Sequence, residues 1–310
     1  MEYKQLGKSE LIASRIGFGC WAIGGHGYGK VDDQESIRSI HRALELGINF
    51  FDTADVYGFG HSEKILSKAL GSKIKDVIIA TKFGVKWNDL GVTTKDCSPQ
   101  RLTYALEGSL RRLKLDCIPL YQIHWPDNKS NIDETIDALE KCRSEGKIKY
   151  YGCSNFSLGL IESLKKINYI VSQQTQYSIM DRQNDGLILK CNTQYKIANI
   201  VYGVLARGFL SGKYSLNTQY HDNDTRKTDI NFQGERFNKN IKMVEYLKLI
   251  SLKYGTSSSQ VAIRWILQKI GIDFVLIGIR NSKQIEENVK VFNWELSQSD
   301  YTDIENWILN

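Results

Sequence analysis

The chain of 310 residues lacks the cysteine patterns of a zinc site or a disulfide scaffold. Its six cysteines include no Cys-x-x-Cys pair, and none has a short spacing to a histidine. We therefore expect them to act as small apolar residues in a reducing compartment, which predicts a cytoplasmic protein. The cysteines are Cys20, Cys97, Cys117, Cys142, Cys153 and Cys191.

Long apolar runs and blocks of basic residues are also missing. No apolar run approaches the roughly 18 residues of a membrane span, and residues 1–8 lack the apolar segment of a signal peptide. The net charge of +6 comes without a dense lysine or arginine block. We expect neither a membrane nor a nucleic acid as partner. The charge would suit an anionic small molecule, but an ordinary solvated surface with some excess of lysine is the commoner explanation.

Eight short apolar segments alternate with amphipathic ones. Such segments are typical of parallel strands that are buried on both faces. The predicted strands are residues 16–19, 48–51, 77–81, 118–123, 150–153, 169–172, 199–202 and 274–278. The predicted helices are residues 34–46, 62–70, one from 99, one from 131, 158–167, 183–195, 241–254, one from 257, 282–292 and 298–308.

Eight strand–helix units in about 300 residues fit a (β/α)8 barrel, or TIM barrel, of the α/β class. A small hairpin over residues 3–15 precedes it, and extra helices lie near its end. The alternative is a doubly wound parallel sheet. No break in composition divides the chain, so we expect one domain over residues 1–310. The longest irregular segment, residues 211–234, follows the seventh strand, on the face expected to hold the active site. A loop of this length is usually either functional or disordered.

One segment imitates a dinucleotide-binding fingerprint. Gly17, Gly19 and Ala22 match the pattern G-x-G-x-x-A. A glycine-rich segment follows instead of a helix, and no acidic residue ends a strand about 20 positions later. The pattern therefore does not support a Rossmann fold.

Chemically useful residues stand where three of the apolar strands end. Asp52 and Tyr57 follow the second strand, Lys82 follows the third, and His124 follows the fourth. Taken singly, each has a commoner structural explanation, such as packing for Tyr57 or a solvated surface for Lys82. A phenol has an ordinary pKa near ~10 and donates protons usefully only beside a fixed positive charge. Their coincidence at strand ends favours a catalytic site.

These residues lie in motifs that resemble the aldo-keto reductase family over essentially the whole chain. The resemblance is closest to the bacterial branch with the inositol-cluster and general-stress reductases, and to the potassium-channel β-subunits. The motifs, in the family's order, are Asp52-Thr-Ala-Asp-Val-Tyr-Gly58, Ala80-Thr-Lys-Phe83, Ile123-His-Trp-Pro-Asp127, Gly152-Cys-Ser-Asn-Phe156, Leu205-Ala-Arg-Gly208 with Gly212-Lys-Tyr214, and Gly278-Ile-Arg280 with Gln284, Glu287 and Asn288.

The resemblance implies a catalytic tetrad. Tyr57 would give a proton to the substrate carbonyl oxygen while a hydride reaches the carbonyl carbon. Lys82 would lower the pKa of Tyr57, and Asp52 would pair with Lys82. His124 would orient the carbonyl by a hydrogen bond.

The resemblance also implies a nicotinamide cofactor. Ser154, Asn155 and Gln174 would hold the carboxamide, and Tyr202 would stack on the nicotinamide ring. Arg280 precedes a predicted helix start, which favours NADPH (NADP+) over NADH because both features suit a 2′-phosphate. The expected cofactor-binding residues are Cys20, Trp21, Asp52, Ser154, Asn155, Gln174, Tyr202, Leu205, Arg207, Gly208, Leu210, Gly212, Lys213, Arg226, Gly278, Arg280, Gln284, Glu287 and Asn288.

Aromatic residues after strands one, three and four are expected to line a substrate pocket. The expected pocket residues are Trp21, Tyr57, Trp87, His124 and Trp125. No arginine stands where it would bind a substrate carboxylate. We therefore expect a neutral aldehyde, ketone or sugar-derived carbonyl, and a monomer or weak homo-oligomer.

The favoured function is an NADP-dependent carbonyl reductase, in the alcohol dehydrogenase class of oxidoreductases. The alternative is a cofactor-binding regulatory or sensor protein on the same barrel, with slow or no turnover. A metal-dependent hydrolase would need several histidines and acids at strand ends, where only His124 qualifies. We expect no metal.

Overall fold

A ring of eight parallel strands forms the centre of the molecule. The computed structural model describes residues 1–25, 31–215, 218 and 224–309. The strands are β1 (Tyr3–Gln5), β2 (Ile12–Ser14), β3 (Ile16–Gly19), β4 (Phe50–Asp52), β5 (Ile78–Phe83), β6 (Val85–Trp87), β7 (Thr93–Lys95), β8 (Ile118–Ile123), β9 (Ile148–Ser154), β10 (Ile170–Gln176), β11 (Ala198–Tyr202) and β12 (Phe274–Gly278).

The helices lie between and after these strands. They are α1 (Asp33–Glu45), α2 (His61–Leu70), α3 (Pro99–Leu113), α4 (Ile132–Ser144), α5 (Leu158–Ser163), α6 (Asp185–Thr193), α7 (Gly234–Tyr254), α8 (Ser258–Gln268), α9 (Ser282–Val289) and α10 (Gln298–Leu309).

The barrel closes in chain order. Its strands run β3-β4-β5-β8-β9-β10-β11-β12, all neighbours are parallel, and β12 pairs back with β3. This confirms the predicted (β/α)8 barrel and rules out the doubly wound sheet, which has no such closure. The predicted strands all exist, with shifts of one or two residues at some start points. The second predicted strand, for example, begins at Phe50 and not at Ile48.

The N-terminal hairpin of β1 and β2 packs against the barrel interior. Leu6 and Leu11 are buried together with Phe50 and Phe274, whose rings lie 5.8 Å apart in an edge-to-face contact. The turn needs glycine at position 7, because φ is +58° and a Cβ there would lie 2.2 Å from a backbone oxygen. The hairpin was predicted over residues 3–15, and this prediction is confirmed.

Two helix starts illustrate what local sequence can predict. Ser98 caps α3 by accepting a hydrogen bond from the N–H of Arg101, with Pro99 in the first position, as the sequence indicates. Helix α7 begins at Gly234, seven residues before its predicted start. Its first two turns are polar and lack an apolar stripe, but Phe237 is buried and fixes them to the core.

A second hairpin, β6–β7, was not predicted. Asn88 shapes its turn by accepting hydrogen bonds from the N–H groups of Leu90 and Val92. Each strand has three residues, and Thr93–Lys95 is wholly exposed. Such a hairpin has no apolar run to reveal it. It follows β5 directly and therefore lies at the barrel end where that strand finishes.

The long segment predicted as irregular contains short helical turns. Single 3-10 turns occupy Thr225–Thr228 and Ile230–Phe232. Residues 216, 217 and 219–223 of this segment lie outside the described residues. Within the described ranges, no helix combines the length and apolar character of a membrane span. The same ranges contain no group of three or more metal-ligating side chains.

Candidate active site

The candidate site lies where the carboxyl ends of β4, β5 and β8 meet. Asp52 is the last residue of β4, Lys82 is the fifth residue of β5, and His124 follows β8 directly. Parallel strands in a closed barrel present these ends on one face. The structure therefore brings together the three strand-end residues that the sequence singled out.

The ammonium group of Lys82 is fully buried among oxygen atoms. Its Nζ lies 2.6 Å from Asp52 Oδ1, 2.8 Å from the carbonyl oxygen of Thr53 and 3.5 Å from the hydroxyl of Tyr57. A buried cation is tolerated only where counter-charge and hydrogen bonds compensate its lost hydration. Asp52 and Thr53 provide this compensation, and the remaining side of the ammonium group faces the phenol.

Both carboxylate oxygens of Asp52 are engaged. Oδ2 accepts a hydrogen bond from Gln174 Nε2 at 2.8 Å and a longer one from Gln122 Nε2 at 3.5 Å. Its backbone oxygen accepts from the N–H of Cys20 at 2.8 Å. The Cys20 thiol is buried beside it, and burial raises the pKa of that thiol well above its ordinary value. Asp52 is thus held in one position from three sides.

Gly24 sets the position of the turn that carries Tyr57. The Tyr57 N–H donates to the carbonyl of Ala54 at 3.2 Å, which closes the turn. A Cβ at Gly24 would lie 2.7 Å from the nitrogen of Gly58 and 2.8 Å from the carbonyl carbon of Tyr57. The 3-10 turn Trp21–Gly24 can therefore pack against the Tyr57 turn only because residue 24 has no side chain.

His124 packs against the phenol, and its surroundings favour the neutral imidazole. Its ring centroid lies 5.6 Å from that of Tyr57, with the planes at 79°. Burial lowers the pKa of His124 well below 6.5, and the charge of Lys82 acts in the same direction. The buried Nδ1 atom has no hydrogen-bond partner among the described residues. A neutral imidazole has one N–H to donate, and which nitrogen carries it depends on its partners.

Asn155 joins the expected carboxamide-binding residues into one network. Its Nδ2 donates to Ser154 Oγ and to the carbonyl of His124, each at 3.0 Å, and its Oδ1 accepts from the Tyr202 hydroxyl at 2.7 Å. Asn155 has φ of +61°, an uncommon conformation for a residue with a side chain. These bonds fix the amide and leave the half-buried Tyr202 ring tethered by its hydroxyl.

The loop after β11 winds tightly around one carbonyl. Leu205 O accepts from the N–H of Gly208 at 2.8 Å and from that of Leu210 at 3.2 Å. Arg207, Gly208 and Gly212 have positive φ angles of 56°, 85° and 74°. The N–H groups of Ala206 and Gly212 also donate to carbonyls of this loop, so four of its N–H groups are bonded inside it. An anion there would meet other groups.

Two cations lie beside that loop and share one aromatic ring. Lys213 Nζ is 5.1 Å from the centre of the Tyr214 ring and 3.2 Å from where a Cβ of Gly208 would lie. The Arg226 guanidinium is 5.5 Å from the same ring centre, and its Nε donates to Asp224 Oδ1 at 2.8 Å. Lys213 and Arg226, both expected to bind the cofactor, therefore contact the same Tyr214 ring next to this loop.

Residues of both charges, Arg280 and Glu35, adjoin the start of α9. The Arg280 N–H donates to Gln284 Oε1 at 2.8 Å. Glu35 of α1 accepts from the N–H of Ser282 at 3.1 Å and from its hydroxyl at 3.3 Å. Hydrogen bonds from Arg38 and then from Ser282 lower the pKa of Glu35. The positive end of α9 therefore already holds a carboxylate.

Three more of the expected cofactor-binding residues lie in α9 or close to it in the sequence. Glu287 accepts from Gln260 Nε2 at 2.5 Å and from Lys290 Nζ at 3.0 Å. Asn288 is buried, whereas Gly278 is the exposed last residue of β12. Glu287 is thus bound to α8, and Gly278 is exposed at the end of β12, where it pairs with Gly19 of β3.

The three expected pocket tryptophans occupy different surroundings. The Trp125 ring centroid lies 6.4 Å from that of His124, and the Trp87 ring centroid lies 5.4 Å from that of Phe59. Trp21 opens the 3-10 turn after β3 and is exposed. Trp125 therefore adjoins the tetrad, while Trp87 belongs to the unpredicted β6–β7 hairpin.

Sequence reasoning did not find four residues of this site. The Thr53 carbonyl accepts from Lys82, and Gln122 donates to Asp52. Gly24 sets the position of the Tyr57 turn. Glu35 accepts hydrogen bonds at the first turn of α9. The carbonyl of Thr53 gives no sequence signal at all. Gln122 did carry one, because it is a polar residue inside an apolar strand.

Comparison with known proteins gives a consistent family match. A family model described as the aldo/keto reductase family matches residues 15–308. Aldo-keto reductase YhdN of Bacillus subtilis is 36% identical over 313 residues, covering 100% of this chain and 94% of the relative. An NADH-specific methylglyoxal reductase of Escherichia coli is 32% identical over 312 residues, covering 96% of this chain and 95% of the relative.

A solved structure matches the fold over the same length. The glycerol dehydrogenase AKR11B4 from Gluconobacter oxydans superposes with a TM-score of 0.91 at 34% identity. The match covers 99% of this chain and 94% of that chain.

Proposed function

Because the chain belongs to the aldo/keto reductase family, whose members are oxidoreductases acting on carbonyl compounds, we propose that it reduces an aldehyde, ketone or sugar-derived carbonyl to an alcohol. The observation that carries this proposal is the buried Lys82 ammonium group between Asp52 and the hydroxyl of Tyr57. A phenol beside a fixed, desolvated cation can give up its proton more readily than a phenol in water.

In this proposal Tyr57 is the proton donor. When bound, NADPH would supply the hydride to the carbonyl carbon. The Tyr57 hydroxyl would give its proton to the carbonyl oxygen. Lys82 stabilises the phenolate that remains, and Asp52 keeps Lys82 charged and in place. Neutral His124 donates a hydrogen bond to the carbonyl oxygen and orients it, which its depressed pKa favours at neutral pH.

The residues around the tetrad fit a nicotinamide dinucleotide. Asn155 and Gln174 provide amides beside Asp52 and His124, and Tyr202 provides an aromatic face held by its hydroxyl. Lys213 and Arg226 offer positive charge to a pyrophosphate.

We infer a preference for NADPH over NADH. Arg280 beside the first turn of α9 supports it, because a guanidinium suits a 2′-phosphate. Two findings argue against a strong preference for NADPH. Glu35 already accepts a hydrogen bond at the first turn of α9, and one relative is named as NADH-specific. The preference is therefore expected to be moderate.

The proposed substrate is uncharged, and the expected pocket wall is aromatic. Trp125 lies beside His124, and Trp87 lies beside Phe59. Six free cysteines support a reducing, cytoplasmic setting. We also propose that the protein is a monomer or a weak homo-oligomer.

The test is oxidation of NADPH, and separately of NADH, with a panel of carbonyl compounds. The panel contains 4-nitrobenzaldehyde, methylglyoxal and several sugars, and the absorbance of the reduced nicotinamide reports turnover. Turnover of a panel member, faster with NADPH, supports the proposal. Tight NADPH binding without turnover of any carbonyl would contradict it and favour a sensor.

A further inference from the structure

A second buried carboxylate lies in the turn that carries Tyr57. Asp55 is completely buried, and its Oδ2 lies 2.5 Å from Arg101 Nη2. Its Oδ1 has no hydrogen-bond partner among the described residues. Asp55 is two residues before Tyr57, so whatever holds Asp55 also holds the acid's turn.

Arg101 reaches from α3 to the β6–β7 hairpin with the same guanidinium. Its Nη2 also donates to the carbonyl of Val85, the first residue of β6, at 2.9 Å. The guanidinium lies 5.2 Å from the centre of the Trp87 ring and 5.6 Å from that of Tyr104. One side chain therefore contacts the Tyr57 turn and the hairpin that carries an expected pocket residue.

We propose that Arg101 is a positioning residue that holds the Trp87-bearing hairpin against the Tyr57 turn, so that the substrate-pocket wall and the proton donor keep a fixed relative position. This inference rests on the proposed carbonyl reduction. We name the contacts of Arg101 with Asp55, Val85 and Trp87 the Arg101 clamp.

Only an arginine can make these contacts together. Its planar guanidinium can bind a carboxylate and a carbonyl at its edge while its face packs on aromatic rings. A lysine at this position could still neutralise Asp55, but it has a single point of charge and no face. Burial raises the pKa of Asp55 to about 7, and the charge of Arg101 opposes that rise. The arginine thus also favours the ionised carboxylate to which it binds.

The same helix provides a matched control. Arg112 of α3 donates from Nε to Glu63 Oε2 at 2.6 Å, and Glu63 is as deeply buried as Asp55. Arg112 packs against Gly60 and so also adjoins the Tyr57 turn. Its described contacts do not include the hairpin. Arg112→Lys therefore disturbs an equivalent buried pair while leaving the hairpin's anchor intact.

The experiment compares Arg101→Lys with Arg112→Lys by two readouts. With NADPH and 4-nitrobenzaldehyde, Arg101→Lys is expected to raise KM about tenfold while kcat changes less. A lysine loses the contacts that hold the Trp87 hairpin, but it still neutralises Asp55, so Tyr57 keeps its position. Hydrogen exchange of residues 85–95 is expected to accelerate in Arg101→Lys. Arg112→Lys should leave both readouts near wild type.

A double variant tests the coupling to Trp87. If Arg101 acts on KM through that ring, Arg101→Lys should add little to the KM of Trp87→Ala. Equal KM values and equal exchange in the Arg101 and Arg112 variants would overturn the proposal. So would a full additional KM effect in the Trp87→Ala background together with unchanged exchange.

The experiment still tests the Arg101 clamp if the wild-type protein shows no turnover or if a variant does not fold. A wild-type protein that does not reduce 4-nitrobenzaldehyde removes support from the proposed function, but exchange of residues 85–95 still decides whether the clamp exists. If Arg101→Lys does not fold, Asp55→Asn weakens the clamp from its other end. Faster exchange of the hairpin in that variant supports the clamp, and unchanged exchange overturns it.

Discussion

At the scale of single residues, the site is dominated by one buried positive charge. Lys82 has no exposure to solvent, and Asp52 and the Thr53 carbonyl compensate the cost of its burial. A buried ion pair adds little net stability, but removing one partner leaves the other charge buried and uncompensated. The arrangement therefore agrees better with the catalytic role proposed for Lys82 than with a contribution to stability.

Lys82→Met is expected to lower both stability and turnover. Asp52 would remain buried without its counter-charge, which costs about 3–5 kcal/mol in the free energy of unfolding. The control is Lys86→Met, which removes an exposed lysine paired with Asp96 at 3.1 Å. That loss should stay below about 1 kcal/mol. Urea unfolding measures the free energy of unfolding of both variants. Equal losses of stability in Lys82→Met and Lys86→Met would contradict the prediction.

His124 is expected to stay neutral throughout the neutral pH range. Burial and the Lys82 charge lower its pKa well below 6.5, so the folded protein does not take up this proton where the unfolded chain does. Its contribution to stability is therefore complete above pH ~6.5 and declines as the pH falls below that value. Histidine NMR signals assigned with His124→Asn provide the measurement. A His124 signal that titrates between pH 6 and 8 would contradict the prediction.

At the scale of elements, short turns position the chemistry more than the long helices do. The 3-10 turn Trp21–Gly24 packs on the Tyr57 turn, and the β6–β7 hairpin packs Trp87 on Phe59. Helix α1 brings Glu35 to the first turn of α9. The 3-10 turn and the hairpin are short elements, and a displacement of either would move side chains at the site.

Gly24→Ala is expected to displace Tyr57. The added Cβ would lie 2.7 Å from the nitrogen of Gly58, so one of the two turns must move. A shift of about 1 Å at an acid can lower kcat by up to about 100-fold. Gly159→Ala in α5 is the control, because its Cβ would meet nothing within 4 Å. Steady-state kcat values of both variants, with unfolding curves, test this, and an unchanged kcat in Gly24→Ala would refute it.

Glu35→Gln is expected to strengthen binding of 2′-phosphorylated nucleotides. The change removes a negative charge from the start of α9, where Arg280 also lies. The affinity for 2′,5′-ADP should rise about three- to tenfold at low salt, with little change for 5′-AMP.

Glu286→Gln provides the control for that measurement. Glu286 is on the same helix and also bridges to α1, through Arg42 Nε at 2.6 Å. Calorimetry with the two nucleotides needs no turnover. An equal gain for both nucleotides, or an equal gain in Glu286→Gln, would show that Glu35 does not discriminate.

At the scale of the whole molecule, the barrel was predictable because its strands are buried on both faces. Each therefore appears as an apolar run, and residues such as Lys82 and His124 stand out at the run's end. The β6–β7 hairpin was not predictable, since Thr93–Lys95 is polar and exposed. That residues 1–310 form one domain stays a prediction, which a single cooperative unfolding transition would support.

Contacts between distant parts of the chain were equally hidden. Arg101 and Asp55 are 46 positions apart, and Ser282 and Glu35 are 247 positions apart. Neither pair has a local pattern, and only the closed barrel brings its members together. The assignment of roles to the site residues stays a prediction, although the geometry places the tetrad in one cluster.

The central claim is that Tyr57 delivers a proton during hydride transfer from NADPH. Single-turnover stopped-flow measurements on wild type and Tyr57→Phe, each saturated with NADPH and mixed with 4-nitrobenzaldehyde, test it most directly. The account predicts rapid NADPH oxidation in wild type and a rate about 10²- to 10⁴-fold lower in Tyr57→Phe, with unchanged NADPH affinity. Equal rates in the two proteins would contradict the proposed role of Tyr57. If the wild-type protein binds NADPH but never oxidises it, the proposed carbonyl reductase activity is wrong.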